Sequence, residues 1–153
     1  MGDRTCVTLT VLKEQALHAT ALFDGWEPEH AVEHEGLLPL MYFTFYEVNY
    51  GDLPFLDALQ EAGIAFDSDW EHGSEYGSGC DFCRFRPDGT VQRFDYSDEY
   101  KNPDLQRMMG LLDEPEALKA YILDHHSKVT PQPWDHQIEY GKLYKAYQLI
   151  NPD

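Results

Sequence analysis

Residues His30, Glu33 and His34 are spaced H-x-x-E-H, which on a helix would put two imidazoles on one face for Zn²⁺, with Glu33 as a base. The surrounding Glu27, Glu29 and Glu35 read instead as a solvated acidic segment, and no further ligand can be singled out from the sequence. Cys80 and Cys83 form a lone C-x-x-C. A four-thiolate site needs a second pair, and Cys6 is the one cysteine left. On a strand Cys80 and Cys83 would point to opposite faces, so buried, small, apolar cysteines are expected. The glycines of residues 72–79 lack the following Lys and helix of a phosphate cradle, and Glu71, Glu75 and Asp81 would repel phosphate. No G-x-S-x-G elbow and no Ser-His-Asp or Cys-His grouping stands out, so an enzyme is not expected and no cofactor is implied.

The more distinctive chemistry is anionic. Residues 14–83 run for seventy positions without a Lys or Arg while carrying fifteen Asp or Glu. Residues 1–81 hold sixteen acids against Arg4 and Lys13, whereas residues 82–153 hold twelve against nine bases, for a net charge of −17. Self-repulsion on this scale opposes compaction, so a folded chain carrying it is expected to use it. On a strand, Asp67, Asp69 and Glu71 would project from one face about 6.6–6.8 Å apart, commensurate with alternate phosphates of a nucleic-acid strand. Asp57 and Glu61, at i and i+4 on a helix, add a second like-charged pair. The competing reading is internal neutralisation by Arg84, Arg86 and Arg93 if their strands lie beside these acids.

The elements that would position these groups are legible in part. Residues 5–12 alternate Val7, Leu9 and Val11 with threonines, the pattern of a strand with one buried face. A helix is expected over 14–23, a loop or short helix over 24–35, and a central strand over the aromatic run 41–50. Asp52 can cap a helix burying Phe55, Leu56, Leu59 and Ala62, with Gly63 ending it. Further strands are expected over 64–71, 80–86 and 90–96, the last two joined by a Pro87-Asp88-Gly89 turn. Helices are expected over 103–112, over 114–126 behind Asp113 and Glu116, and over 135–150. Tyr140, Tyr144 and Tyr147, with Leu143 and Ile150, form a stripe on the last helix that suits core packing or a homodimer contact.

The fold class expected is α+β, a mainly antiparallel sheet with helices on one face and a helical C-terminal part, a partly ferredoxin-like arrangement being one option for residues 41–96. One domain is expected over 1–153, with a mixed sheet region over 1–101 and helices over 102–153. Hydrophobic content of 42% argues against disorder despite the charge. The first residues lack a signal-peptide pattern, Cys6 stands where a myristoylation motif wants Ser or Thr, and no apolar run suits a membrane span. With three cysteines, an odd number, these features lead to a cytoplasmic expectation. A surface so negative would repel nucleic acid and anionic lipid.

The function expected is therefore an acidic, protein-binding inhibitor that imitates nucleic-acid charge toward a basic, nucleic-acid-handling partner, as antirestriction, counter-defence and nuclease-immunity proteins do. That expectation is an analogy of charge and size. Its candidate contacts are Glu27, Glu29, Glu33, Glu35, Asp57, Glu61, Asp67, Asp69, Glu71 and Glu75. The alternatives are a metal-binding protein or hydrolase using His30 and His34, and an assembly component with a tyrosine-rich interface.

Overall fold

The computed structural model describes residues 2–152. Six strands form one antiparallel sheet in the order β2-β3-β1-β4-β5-β6. Their spans are β1 Arg4–Leu12, β2 His30–His34, β3 Leu40–Asn49, β4 Phe66–Trp70, β5 Gly79–Phe85 and β6 Val91–Ser97. The helices are α1 Ala16–Ala21, α2 Leu56–Glu61, α3 Leu105–Gly110, α4 Pro115–Val129 and α5 Gln137–Ile150. The α+β class and the antiparallel sheet are as the sequence leads one to expect.

Strand alternation sets up two faces. Val7, Leu9 and Val11 of β1 are fully buried and stand opposite Phe45, Phe43 and Met41 of β3 and beside Phe66 of β4. Helices α1 and α2 seal this first face with Ala16, Ala19, Leu56 and Leu59, and Phe23 joins it, its ring 4.6 Å from Phe55 and 5.2 Å from Phe43. Tyr144 of α5 lies against Phe85 on the same side, with centroids 5.0 Å apart. The second face is different. Gln92 of β6 donates to the carbonyls of Ser127 and Thr130, which places α4 on the opposite side of the sheet. Helices therefore occupy both faces rather than one, and residues 130–136 pass around the end of the sheet between them.

Several local expectations change. The segment 24–35 contains a strand, β2, where a loop or short helix was expected. Asp52 does not cap α2, which begins after Phe55 without a side-chain cap, although Gly63 ends it with φ +72°. Asp113 makes no cap either, since α4 starts after Glu114 with Pro115 in its first turn. The ferredoxin-like expectation for 41–96 also fails in its topology. β3 and β4 are parallel across a gap filled by β1, where a ferredoxin-like unit would insert the strand that follows, and β5 instead extends the sheet outward.

The C-terminal residues are part of the sheet's own packing. Gln137, almost fully buried, accepts from Phe85 N at 2.7 Å and donates to Phe85 O at 3.0 Å, making both bonds that a neighbouring strand residue would make. Gly141 lets α5 approach the turn after α2, because a Cβ there would overlap the Gly63 carbonyl. Gly141→Ala should destabilise the protein by about 1–3 kcal/mol through this backbone clash. Gly110→Ala, at a position with open space around it, should be neutral or stabilising by up to about 1 kcal/mol. Urea denaturation of the two variants checks the contrast.

Candidate protein-binding face

Register places Thr8 and Thr10 of β1, Asp67 and Asp69 of β4, Tyr42 and Thr44 of β3, and His30, Val32 and His34 of β2 on the second face. The helical cover on this side lies over β6, and the strands toward β2 keep exposed side chains, Val32 at 58% and Tyr46 at 46%. A register shift between Thr5 and Val7 puts one extra residue into β3, where Glu47 has φ +57°. Tyr46 follows the alternation of Tyr42 and Thr44 onto the second face, its ring 5.9 Å from that of His30, and the bulge returns Val48 to the buried face.

The H-x-x-E-H segment is a strand, and that removes its metal reading. At about 3.3 Å rise per residue, His30 and His34 stand roughly 13 Å apart along β2. Glu33 projects to the other face, where it pairs with Lys13. Each histidine meets a tyrosine across the strands instead, His34 with Tyr42 at 5.8 Å. Among the described residues no group of three His, Cys, Asp or Glu is placed to hold a metal ion. Cys80 and Cys83 do point to opposite faces of β5 and are both buried. Burial pushes the Cys83 thiol up to about 12 and raises Cys80 further, helped by Asp69, so neither presents a thiolate nucleophile.

The expected row of Asp67, Asp69 and Glu71 is broken. Asp67 lies 2.9 Å from Nη2 of Arg84, a residue only 1% exposed. Arg84 also donates to Phe66 O at 2.9 Å, Cys83 O at 3.1 Å and Gln132 O at 2.9 Å, and its plane lies 3.7 Å from the Trp134 ring. Arg93 lies on the first face, holding Asp81 at 2.6 and 2.7 Å and Asp57 at 3.2 Å. Arg86 is spent on its own hairpin, bonding Thr90 and Val91 O. Two of the three arginines thus answer acids of the anionic half.

The other candidates are scattered between faces. Asp57 and Glu61 sit on α2 beyond the first face, both exposed, and Glu27 and Glu35 flank β2 in exposed loops. Glu75 lies in the link between β4 and β5, its N–H bonded to Asp3. Glu29, Asp69 and Glu71 do gather on the second face. The first and last of these push the Cys6 thiol up from the end of β1, after burial itself. Sequence reasoning missed Gln92 and Gln137, which read as ordinary polar residues, and the fixing of Arg84 by a loop 48 residues away. Comparison with protein families, curated proteins and solved structures finds no match, so residue roles rest on this geometry.

Two predictions follow from the buried charges. Arg84→Met should cost about 3–5 kcal/mol, because it strands a half-buried Asp67, and much of that loss should return in Arg84→Met with Asp67→Leu. Chemical denaturation of the single and double variants measures it. Burial raises the carboxyls of Asp67, Asp69 and Asp81 above 3.8, against the pull of Arg84 on Asp67 and Arg93 on Asp81. The folded state then binds protons that the unfolded state has released, so stability should climb as pH falls from 7 through the range just above 3.8. Thermal melts against pH should show this rise, and Asp69→Asn should flatten it.

Proposed function

We propose that the chain is an acidic, protein-binding inhibitor that meets a basic, nucleic-acid-handling partner in place of nucleic acid. The observation that carries this reading is the balance of ion pairs. Glu33, Glu47, Asp57, Asp67 and Asp81 have cationic partners, while the other ten acids of residues 14–83 have none among the described residues. Glu29, Asp69 and Glu71 are the members of that group beside the uncovered sheet face, where Tyr46, Val32 and His30 offer the less polar contact that exposed charges alone do not supply. In this reading the carboxylates steer the partner and the sheet face gives it a footing. Among the described residues no helix is long and apolar enough to cross a membrane.

The test is affinity capture from a bacterial lysate at low and high salt, with duplex DNA as competitor. A nucleic-acid enzyme should be retained at low salt and displaced by DNA. Glu29→Gln with Asp69→Asn and Glu71→Gln should slow its association about tenfold at low salt. Recovery of no such enzyme, or indifference to these substitutions, would sink the reading.

A second reading has its own observation. Of the tyrosine stripe, Tyr144 is core, but Leu143, Tyr147 and Ile150 stay 48%, 49% and 77% exposed along α5. An assembly component, including a homodimer through this helix, would use that edge. Light scattering should then report an oligomer that persists at high salt and is lost in Tyr147→Glu.

A further inference from the structure

Where β3 ends, the chain turns sharply over the side chain of Trp70. Tyr50 and Gly51 both have positive φ, 53° and 70°. A Cβ on Gly51 would press on Trp70 Cβ and Cγ, and one on Gly79 would enter the indole ring. The indole is seated between these glycines, and its Nε1 donates to Gly77 O at 3.0 Å. The Tyr50 ring lies 5.9 Å from Tyr76. Two adjoining hollows share Tyr50 and Trp70. One, of about 330 Å³, adds Asp52, Asp81 and Asp95 to its wall, and the other, of about 400 Å³, adds Tyr76 and Glu75.

These walls select a cation. Aromatic faces attract positive charge, and carboxylates beside them repel an anion and would be stripped of water by an apolar ligand. Asp81 and Asp95 stand directly opposite on β5 and β6, an arrangement that like charges disfavour. Arg93 satisfies Asp81 from one side, with its guanidinium 4.9 Å from the Phe66 ring. Asp81, one residue of that wall, therefore already helps to hold one guanidinium that also rests on an aromatic ring. Asp52 and Asp95 have no ion-pair partner among the described residues, and a second cation entering beside Trp70 would relieve the Asp81–Asp95 opposition.

We propose that this corner is a socket for an organic cation, the guanidinium or ammonium group of a basic side chain on a protein partner, held by the rings of Trp70 and Tyr50 and the carboxylates of Asp52 and Asp95. The source of that side chain rests on the inhibitor reading, but the chemistry of the socket does not. It lies on the first face of the sheet, opposite the face that carries Asp69 and Glu71.

The test follows the Trp70 indole N–H by NMR, assigned with Trp70→Phe, while N-acetylarginine amide, tetramethylammonium chloride or neutral N-acetylnorleucine amide is added at constant ionic strength. A saturable shift with either cation and none with the neutral amide is expected. Asp52→Asn with Asp95→Asn should weaken cation binding about five- to tenfold. No saturable shift with either cation, an equal response to the neutral amide, or unchanged binding in the double variant would overturn the socket. Cation binding without recovery of any basic partner would remove the inhibitor reading and leave the socket standing. A recovered partner with an unresponsive indole would do the reverse.

Discussion

One guanidinium fixes how the two halves of this chain meet. Arg84 is buried on the second face of the sheet, and a buried charge is tolerable when its hydrogen bonds and counter-charge are supplied. Its partners come from three places: Asp67 and Phe66 on β4, Cys83 on its own strand, and Gln132 with the Trp134 ring beyond α4. The planar fork of Arg suits this set, since it can donate in several directions while stacking on an indole; a lysine ammonium could not do both. To reach Arg84, residues 130–134 must close over the end of the sheet. That requirement puts α4 on one face and α5 on the other, and brings Gln137 to Phe85.

The same constraint sorts the acids. Two that the fold brings near its interior, Asp67 and Asp81, are met by arginines from the other half of the sequence, Asp69 is partly buried with no ion-pair partner among the described residues, and most of the remainder stay in water. Charge is thus neutralised at two of the sites where burial makes it costly and mostly left alone where solvent screens it. What remains outside is spread around the sheet, gathered on the second face as Glu29, Asp69 and Glu71 and at the Trp70 corner as Asp52 and Asp95.

Legibility from sequence followed burial. β1 and the β5–β6 hairpin could be read because Val7, Leu9 and Val11 alternate with polar residues and Pro87-Asp88-Gly89 turns the chain. Strand β2 could not, since all five of its residues are exposed and no apolar face marks its period. The loop or short helix expected over 24–35 is a strand there, so His30 and His34 lack the shared helical face on which the metal reading depended. Alternation put Asp67 and Asp69 on one face of a strand, correctly, but one-dimensional parity carries no information about which neighbour lies across from them. The Trp70 corner left a trace in Gly51 and Gly79, whose need to be glycine is set by an aromatic ring nearby in space. For Gly79 that ring lies across the β4–β5 pairing, and for Gly51 it lies beyond a helix and a turn.

The placement of Arg84 also has a consequence in time. A chain growing from its N-terminus completes β4, with Asp67, before any cation of the sheet interior exists, and Gln132 follows Arg84 by 48 residues. Until then the emerging segment is a polyanion lacking the groups that make its central strands compatible with a dry interior. The net negative charge of that segment discourages contact between neighbouring nascent chains. The sheet becomes self-consistent only when residues 84–137 are present, because they carry the guanidinium that answers Asp67 and the segment that closes over the strands.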